Sequence, residues 1–201
     1  MRSAFRPAPP AALLAAALLL AGCISFAPRP PEVLLTLSPA ASPAAGAEAT
    51  SANAKTITVL VPVTPAAIAT NRVAVATGAT SLAYVKGGYW SEAPARLFAR
   101  LIADTVTTRT GRVVLSNAQS FADPGARLSG ELRNFTIDAA RGEAVVTYDA
   151  TLMRDGAKDF DKRRFEARAP LGGAVTPVAA ATALNRAAND VAAQVSDWVG
   201  R

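Results

Sequence analysis

Cys23 is the only cysteine in this chain of 201 residues, and the chain contains no histidine. A lone thiol closes no internal disulfide, and without histidine there is no Ser-His-Asp or Cys-His pair. His-ligated zinc and the commonest general base are absent for the same reason. Neither a G-x-x-x-x-G-K-[ST] phosphate loop nor a G-x-G-x-x-G turn occurs, so no nucleotide or cofactor motif is present. The carboxylates that crowd most closely are Asp155, Asp159 and Asp161. They fall in a short turn and its flank, where acids are ordinarily solvated. The residue types therefore argue against an enzyme and supply no catalytic residue, metal-ligand set or cofactor site. What chemistry remains is at Cys23.

The residues before that thiol define its use. Arg2 and Arg6 give a basic start, and Ala11–Gly22 is a run of Ala, Leu and Gly. Twelve such residues rise roughly 18 Å as a helix, too short for a hydrocarbon core of about 30 Å. A basic start, a short apolar run and small residues at its end describe a secretory signal peptide over residues 1–22. An ordinary cleavage site needs no cysteine, yet Leu20-Ala21-Gly22-Cys23 resembles a bacterial lipobox. That resemblance implies a diacylglycerol on the Cys23 thiol, cleavage before Cys23, and acylation of the new amine, with palmitate as a typical chain. One acyl chain anchors only marginally, whereas two or more hold a protein on a bilayer. Ile24 follows the cysteine where Asp would favour the inner membrane, so the resemblance points to the outer membrane with the remaining chain facing the periplasm.

The full chain carries 21 basic and 15 acidic residues; loss of Arg2 and Arg6 leaves 19 against 15, a surplus of four. No RNA-binding motif, zinc knuckle or lysine-rich run accompanies the surplus, so nucleic acid is not an expected partner. Residues 23–201 are enough for one domain with a real core.

The elements that would build this domain follow from the patterning. Residues 23–31 form the lipidated start and a proline-rich tether. Glu32–Pro39, "EVLLTLSP", suits a first strand, and residues 40–55 contain only small and polar residues without periodicity, a flexible loop. In "TITVLVPV", Ile57, Val59, Val61 and Val63 share one strand face, with Pro62 on the other. Val73 and Val75 repeat the alternation. Tyr84, Tyr89 and Trp90 surround a turn at Gly87-Gly88. A helix over Ser91–Thr110 takes Ser91 as cap, Glu92 at the positive dipole end and Gly111 as C-terminal stop. Its stripe of Leu97, Phe98, Leu101, Ile102 and Val106 faces a sheet, and Arg96, Arg100 and Asp104 face away.

Antiparallel strands come next. "RVVL" is short. "ARLSGELRNFTID" switches parity between Leu128/Leu132 and Phe135/Ile137, which places a bulge near Arg133-Asn134. Ala144, Val146, Tyr148, Ala150 and Leu152 point inward, opposite Thr147, Asp149 and Thr151. After a hairpin turn at Asp155-Gly156, Phe165 and Ala167 point in while Lys162, Arg164, Glu166 and Arg168 point out. A final helix is capped by Thr176 and opened by Pro177. Val178, Ala181, Leu184, Ala188, Val191, Val195 and Trp198 form its apolar stripe, and Asn185, Arg186, Asn189, Asp190, Gln194 and Asp197 the polar one. Trp90 and Trp198 read as core. The fold class is α+β: a mainly antiparallel sheet with two amphipathic helices on one face.

In order, these features resemble the ABC-type transport auxiliary lipoproteins, the family of the Pqi-system lipoprotein. The resemblance rests on the lipobox at Cys23, on "LLTLSP" where the family has a Y-x-L-x-P-like strand, and on "NRVAVATGATSLAYVKGGYWSEAPARLFARLIADTV". In that last stretch the family runs from a short strand through an aromatic-rich turn to W-[AS]-E-x-P and an amphipathic helix. "ARLSGELRNFTID", "AVVTYDATLM", "RRFEARAPL" and the final helix also match. Leu35 departs from the pattern, which has an aromatic there, and the loop after Pro39 is long. The resemblance makes residues 32–201 the auxiliary domain, with a fold similar to the N-terminal domain of TolB. It implies work beside an ABC transporter and an MCE-domain protein that move lipids or hydrophobic solutes across the envelope. In that arrangement the chain docks partners at the membrane through its anchor, also as a homo-oligomer, and ATP hydrolysis belongs to other subunits. The same fold would also serve a lipoprotein that regulates an envelope enzyme such as a cell-wall synthase.

Overall fold

A computed structural model describes residues 33–123 and 125–201, with Val33–Arg201 forming one compact unit. The signal segment 1–22, Cys23 and the tether 23–31 lie outside the described residues.

The chain order is β1 (Thr56–Val59), β2 (Arg72–Gly78), β3 (Ser81–Tyr89), α1 (Pro94–Thr110), β4 (Val113–Leu115), β5 (Ala126–Asp138), β6 (Glu143–Met153), β7 (Phe160–Pro170) and α2 (Pro177–Val199). The seven strands make one sheet with β5 as its spine. Along one edge β5 pairs antiparallel with β6, and β6 with β7. Its other edge is shared. β1 lies parallel to Ala126–Leu128 and β2 parallel to Thr136–Asp138. β4 flanks β1 in parallel and β3 flanks β2 antiparallel. Most paired residues therefore sit in antiparallel ladders, as the alternation predicts, and the parallel ladders are short.

Both helices cover one face. α2 packs on β6 and β7, and α1 packs on α2 and reaches β1 and β4. Leu97, Phe98, Leu101, Ile102 and Val106 of α1 are buried. Inward residues Leu128, Leu132, Phe135 and Ile137 of β5 and Ala144, Val146, Tyr148, Ala150 and Leu152 of β6 meet them. Phe98 stands edge-on to Tyr148 at 5.4 Å and Trp90 edge-on to Phe135 at 5.5 Å, while Phe165 meets Trp198 at 5.5 Å. Edge-to-face pairs at such spacings add to simple burial through the ring quadrupoles. The parity switch in β5 is the expected bulge, between Leu132 and Asn134. Gly130, inside β5, has a packing reason. A Cβ there would collide with the Asp149 carbonyl oxygen and stand 2.9 Å from Tyr148 Cε2.

Several expectations are corrected. α1 begins at Pro94, not Ser91, and Ala93 in the cap position makes no side-chain cap bond. A residue before proline is pushed out of the helical region, and Ala93 has φ −56° and ψ 136°. Ser91 is already engaged, its N–H donating to Leu35 O at 2.7 Å. Glu92, expected at the dipole, instead pairs with Arg100 and Arg96. Gly111 ends the helix as expected, at φ 69°.

Gly87-Gly88 is a kink inside β3 and not a turn. Arg72 pairs with Tyr89 but Ala74 with Tyr84, so β3 bulges there, with Gly87 at φ 72°. The proposed first strand over Glu32–Pro39 reduces to one parallel bridge, Leu35 to Trp90. Val61 and Val63 are exposed and Pro62 is buried, the reverse of the expected faces. Between the pairs Val59–Leu128 and Val63–Glu131 the chain advances four residues against three on β5. One extra residue flips every later side chain to the other face. On α2, Thr176 accepts from Ala179 N–H as a cap and Pro177 opens the helix. Val178, expected in its core stripe, is exposed, Ala181 packs at the core's margin, and Ala180, Ala183 and Ala187 are buried. Residues 40–55 carry no helix or strand and are almost wholly exposed.

Candidate interaction surfaces

The face of the sheet away from the helices collects the outward residues of β5, β6 and β7. Asp149 accepts two bonds from Arg164, 2.6 Å from Nε and 2.7 Å from Nη2. Arg133 reaches the same carboxylate at 3.4 Å and Glu131 at 3.5 Å. Arg168 lies 3.0 Å from Glu166 and 3.6 Å from Glu143. Thr147, read as outward, is buried on this face, and its hydroxyl donates to Glu166 Oε2 at 3.0 Å. The polar face is thus a ladder of arginine–carboxylate pairs, with two acids, Glu131 and Asp149, directly opposite each other on β5 and β6. A shallow cleft of about 580 Å³ opens on it, lined by Glu131, Asp149, Thr151, Lys162, Arg163 and Arg164 among others.

Within the ladder the Arg164 guanidinium bonded to Asp149 holds that carboxyl below its ordinary range, aided by the charges of Arg164 and Arg133 against partial burial. A carboxyl depressed in the folded state contributes stability above its unfolded value of about 3.9 and loses it as pH falls through the folded one. Urea unfolding of Arg164→Gln should therefore show a deficit against the parent at pH 7 that shrinks below about pH 4. An equal deficit at pH 7 and pH 2.5 would mean Arg164 acts by packing instead.

A second, larger hollow of about 830 Å³ lies at the C-terminal ends of both helices. Lys55, Arg109, Arg112, Arg154 and Arg201 line it with two acids, Asp155 and Asp197. Arg112 is mostly buried and donates to Thr56 O at 3.0 Å and Asp155 Oδ2 at 3.1 Å, tying β1 to the β6–β7 turn. Arg109 in the last turn of α1 lies 2.6 Å from Asp197 of α2. Cations beside two helix C-termini also meet the partial negative charge there. Four separate segments supply these five basic residues, so no run in the sequence announced the cleft.

The three crowded acids have separate places. Asp155 pairs with Arg112, Asp161 accepts from Arg154 Nε at 2.8 Å, and Asp159 is exposed. Among the described residues no group of three His, Cys, Asp or Glu side chains is arranged to hold a metal ion. Burial pushes the Tyr148 phenol up, and its hydroxyl donates to Ser129 O at 2.9 Å as a core bond. Asn185 and Asn189, read as part of a solvated face, bind the backbone of the segment before β1. Among the described residues no helix is long and apolar enough to cross a membrane.

No curated protein matches the chain. Among solved structures, protein XCC0632 from Xanthomonas campestris, of the DUF330 family, superposes with a TM-score of 0.68 at 17% identity, covering 83% of this chain and 93% of that one. An uncharacterized protein gives 0.61 at 12% identity, over 72% and 90% of the two chains. At these identities the likeness establishes the fold. The sequence itself matches a family profile from Leu35 to Ser196, nearly the whole described domain, and on that match the chain belongs to the ABC-type transport auxiliary lipoprotein component family.

Proposed function

We propose that the protein is a docking adaptor of an ABC transport system that moves lipids or hydrophobic solutes across the bacterial envelope. Acyl chains on Cys23 hold it in the outer membrane with its domain in the periplasm. The domain positions an MCE-domain partner of the transporter there and performs no catalysis of its own. The observation that carries this reading is where the apolar side chains go. Most of them fill one sheet–helix interface, with Phe98, Leu101, Tyr148, Leu184 and Val191 all buried in it. The two clefts described above are lined largely by charged side chains. A site that encloses a lipid is concave and mostly apolar. Charged clefts and a ladder of ion pairs suit protein surfaces, where complementary charge sets orientation and partner choice.

Native mass spectrometry of residues 24–201 tests the adaptor against a shuttle. The expected spectrum contains the bare chain, or a multiple of it, with no phospholipid. One phospholipid retained per chain would make the domain a carrier. Co-purification of the same domain with the MCE-domain protein encoded beside it is the expected second result, and capture of a cell-wall synthase in its place would support the regulatory alternative.

A further inference from the structure

The segment preceding β1 is held against α2 by side-chain amides. Ser38 N–H donates to Asn185 Oδ1 at 2.8 Å, Ala40 N–H to Asn189 Oδ1 at 2.6 Å, and Asn189 Nδ2 to Ser38 O at 3.0 Å. As residue numbers rise from 38 to 40 their partners rise from 185 to 189, so the segment runs parallel to the helix. Val178, Ala181, Asn185 and Asn189 are spaced three, four and four apart, which places them on one stripe of α2. Extended chain rises about 3.3 Å per residue and helix 1.5 Å. Leu34, four residues before Ser38, is therefore level with the first turn of α2.

Large apolar side chains stand open to solvent at this end. Val33 is 64% exposed, Leu34 55%, Val175 39% and Val178 67%. Their neighbours along the chain are uncharged: no Asp, Glu, Lys or Arg occurs from Val33 to Ala47, nor from Ala169 to Asn185, although Glu143 of β6 stands opposite Pro170. The opposite end of the same helix opens on the cleft with five basic and two acidic residues. A helix of 23 residues spans about 35 Å. Phe160, opposite Met153 at the cleft end, is exposed as well. Val33, Leu34, Val175 and Val178 nevertheless form an apolar pole at the N-terminus of α2, and the charged cleft lies at its C-terminus.

We propose that this pole is a lipid-contacting surface: Val33, Leu34, Val175 and Val178 rest in the interface of the bilayer that carries the Cys23 acyl chains. The inference builds on the lipid anchor proposed above. Residues 24–32 reach at most roughly 35 Å when fully extended, so Val33 stays close to the bilayer. A site tethered at that range meets its surface at an effective concentration near millimolar, and weak intrinsic affinity suffices. The flanking chain carries no ionised group, so burying these four side chains does not itself bury a charge. Seated in this way, the domain would direct its charged cleft away from the membrane.

The experiment uses residues 23–201 with the Cys23 thiol coupled to maleimide-phosphatidylethanolamine in phosphatidylcholine vesicles, with and without dibrominated phosphatidylcholine. Trp90 and Trp198 are buried and give a constant background. For Val178→Trp, roughly half of the added emission should be lost to the brominated lipid, as for a side chain seated some 5–10 Å into the headgroup–acyl boundary. Lys55→Trp, at the cleft, should be unaffected. Leu34→Trp repeats the measurement from the other element of the pole. Equal emission of Val178→Trp and Leu34→Trp with and without bromine would overturn the proposal, as would quenching of Lys55→Trp to the same degree. Concentration-dependent shielding of Val178→Trp without vesicles would assign the pole to a second copy, and the proposal would fall. Because chemical coupling replaces acylation, this result is independent of native lipidation, which incorporation of labelled palmitate into the expressed chain reads separately.

Discussion

Cys23→Ser is expected to abolish membrane recovery of the mature protein while leaving its domain folded. On the reading proposed above, the thiol takes the diacylglycerol, and signal cleavage before residue 23 depends on that step. Each buried methylene contributes about 0.8 kcal/mol, so chains of the usual length make dissociation negligible once two or more are present. A serine hydroxyl accepts no such group, and the whole of this free energy is lost together. The pole of Val33, Leu34, Val175 and Val178 would not rescue binding, since without a tether its local concentration at the bilayer disappears. Val33–Arg201 is compact by itself, so far-UV circular dichroism of the secreted domain should match that of the parent. Labelled palmitate should enter the parent and not the variant, and globomycin should arrest processing of the parent alone. Maturation insensitive to globomycin, with unchanged membrane recovery of Cys23→Ser, would rule out the lipoprotein assignment of this residue.

Trp90→Ala should cost about 3–5 kcal/mol of stability, a large part of the 5–15 kcal/mol typical of a domain. Trp90 is 1% exposed and stands edge-on to Phe135. It also joins three elements at one point. Its N–H donates to Asn71 O at 2.6 Å ahead of β2, and it bridges Leu35 just before the turn into α1. The truncation leaves a cavity beside Phe135 of β5 in the closed core. For a domain of this size, the expected fall in Tm is about 6–20 °C. Urea unfolding followed by circular dichroism measures it. A variant that melts with the parent yet loses its protein partner would make Trp90 a contact residue and not a core one.

The two tryptophans show what was legible beforehand. Trp198 falls on a stripe with Val191 and Val195 at helical spacing, and Trp90 leads into the stripe of Leu97 and Leu101, so a core reading needed nothing outside each helix. The alternation of β6, the stop at Gly111, the Thr176-Pro177 start of α2 and the bulge beside Arg133 were equally readable. Each depends on side-chain periodicity or on backbone stereochemistry acting over a few residues. Lipidation at Cys23 was read in the same way, from its neighbours in the chain.

Where local signals competed, the reading went astray. Ser91 and Pro94 are both good helix openers, and the restriction that proline places on Ala93 prevailed over the serine hydroxyl. Val61 and Val63 alternate correctly with Ile57, but one residue gained against β5 turned them outward. A register is a relation between two strands, and one strand cannot state it.

Other features had no local signal. Whether β1 and β2 run parallel or antiparallel to β5 depends on partners far along the chain, and ladders of three residue pairs are too short to leave a pattern of their own. Lys55, Arg109, Arg112, Arg154 and Arg201 read as scattered solvated charges until the ends of α1, α2 and the β6–β7 turn gathered them around one cleft. Asn185 and Asn189 looked like an ordinary polar face, yet they clasp Ser38 and Ala40 about 150 positions earlier, with one bond spanning 149. The sequence by itself determined which segments are helix or strand and which side of most is apolar, because those properties follow from torsional preferences and hydrophobic period within a dozen residues. The tertiary structure alone decided strand direction, register, the charged cleft and the apolar pole, because each consists of contacts between residues whose proximity exists only once the sheet–helix core has closed.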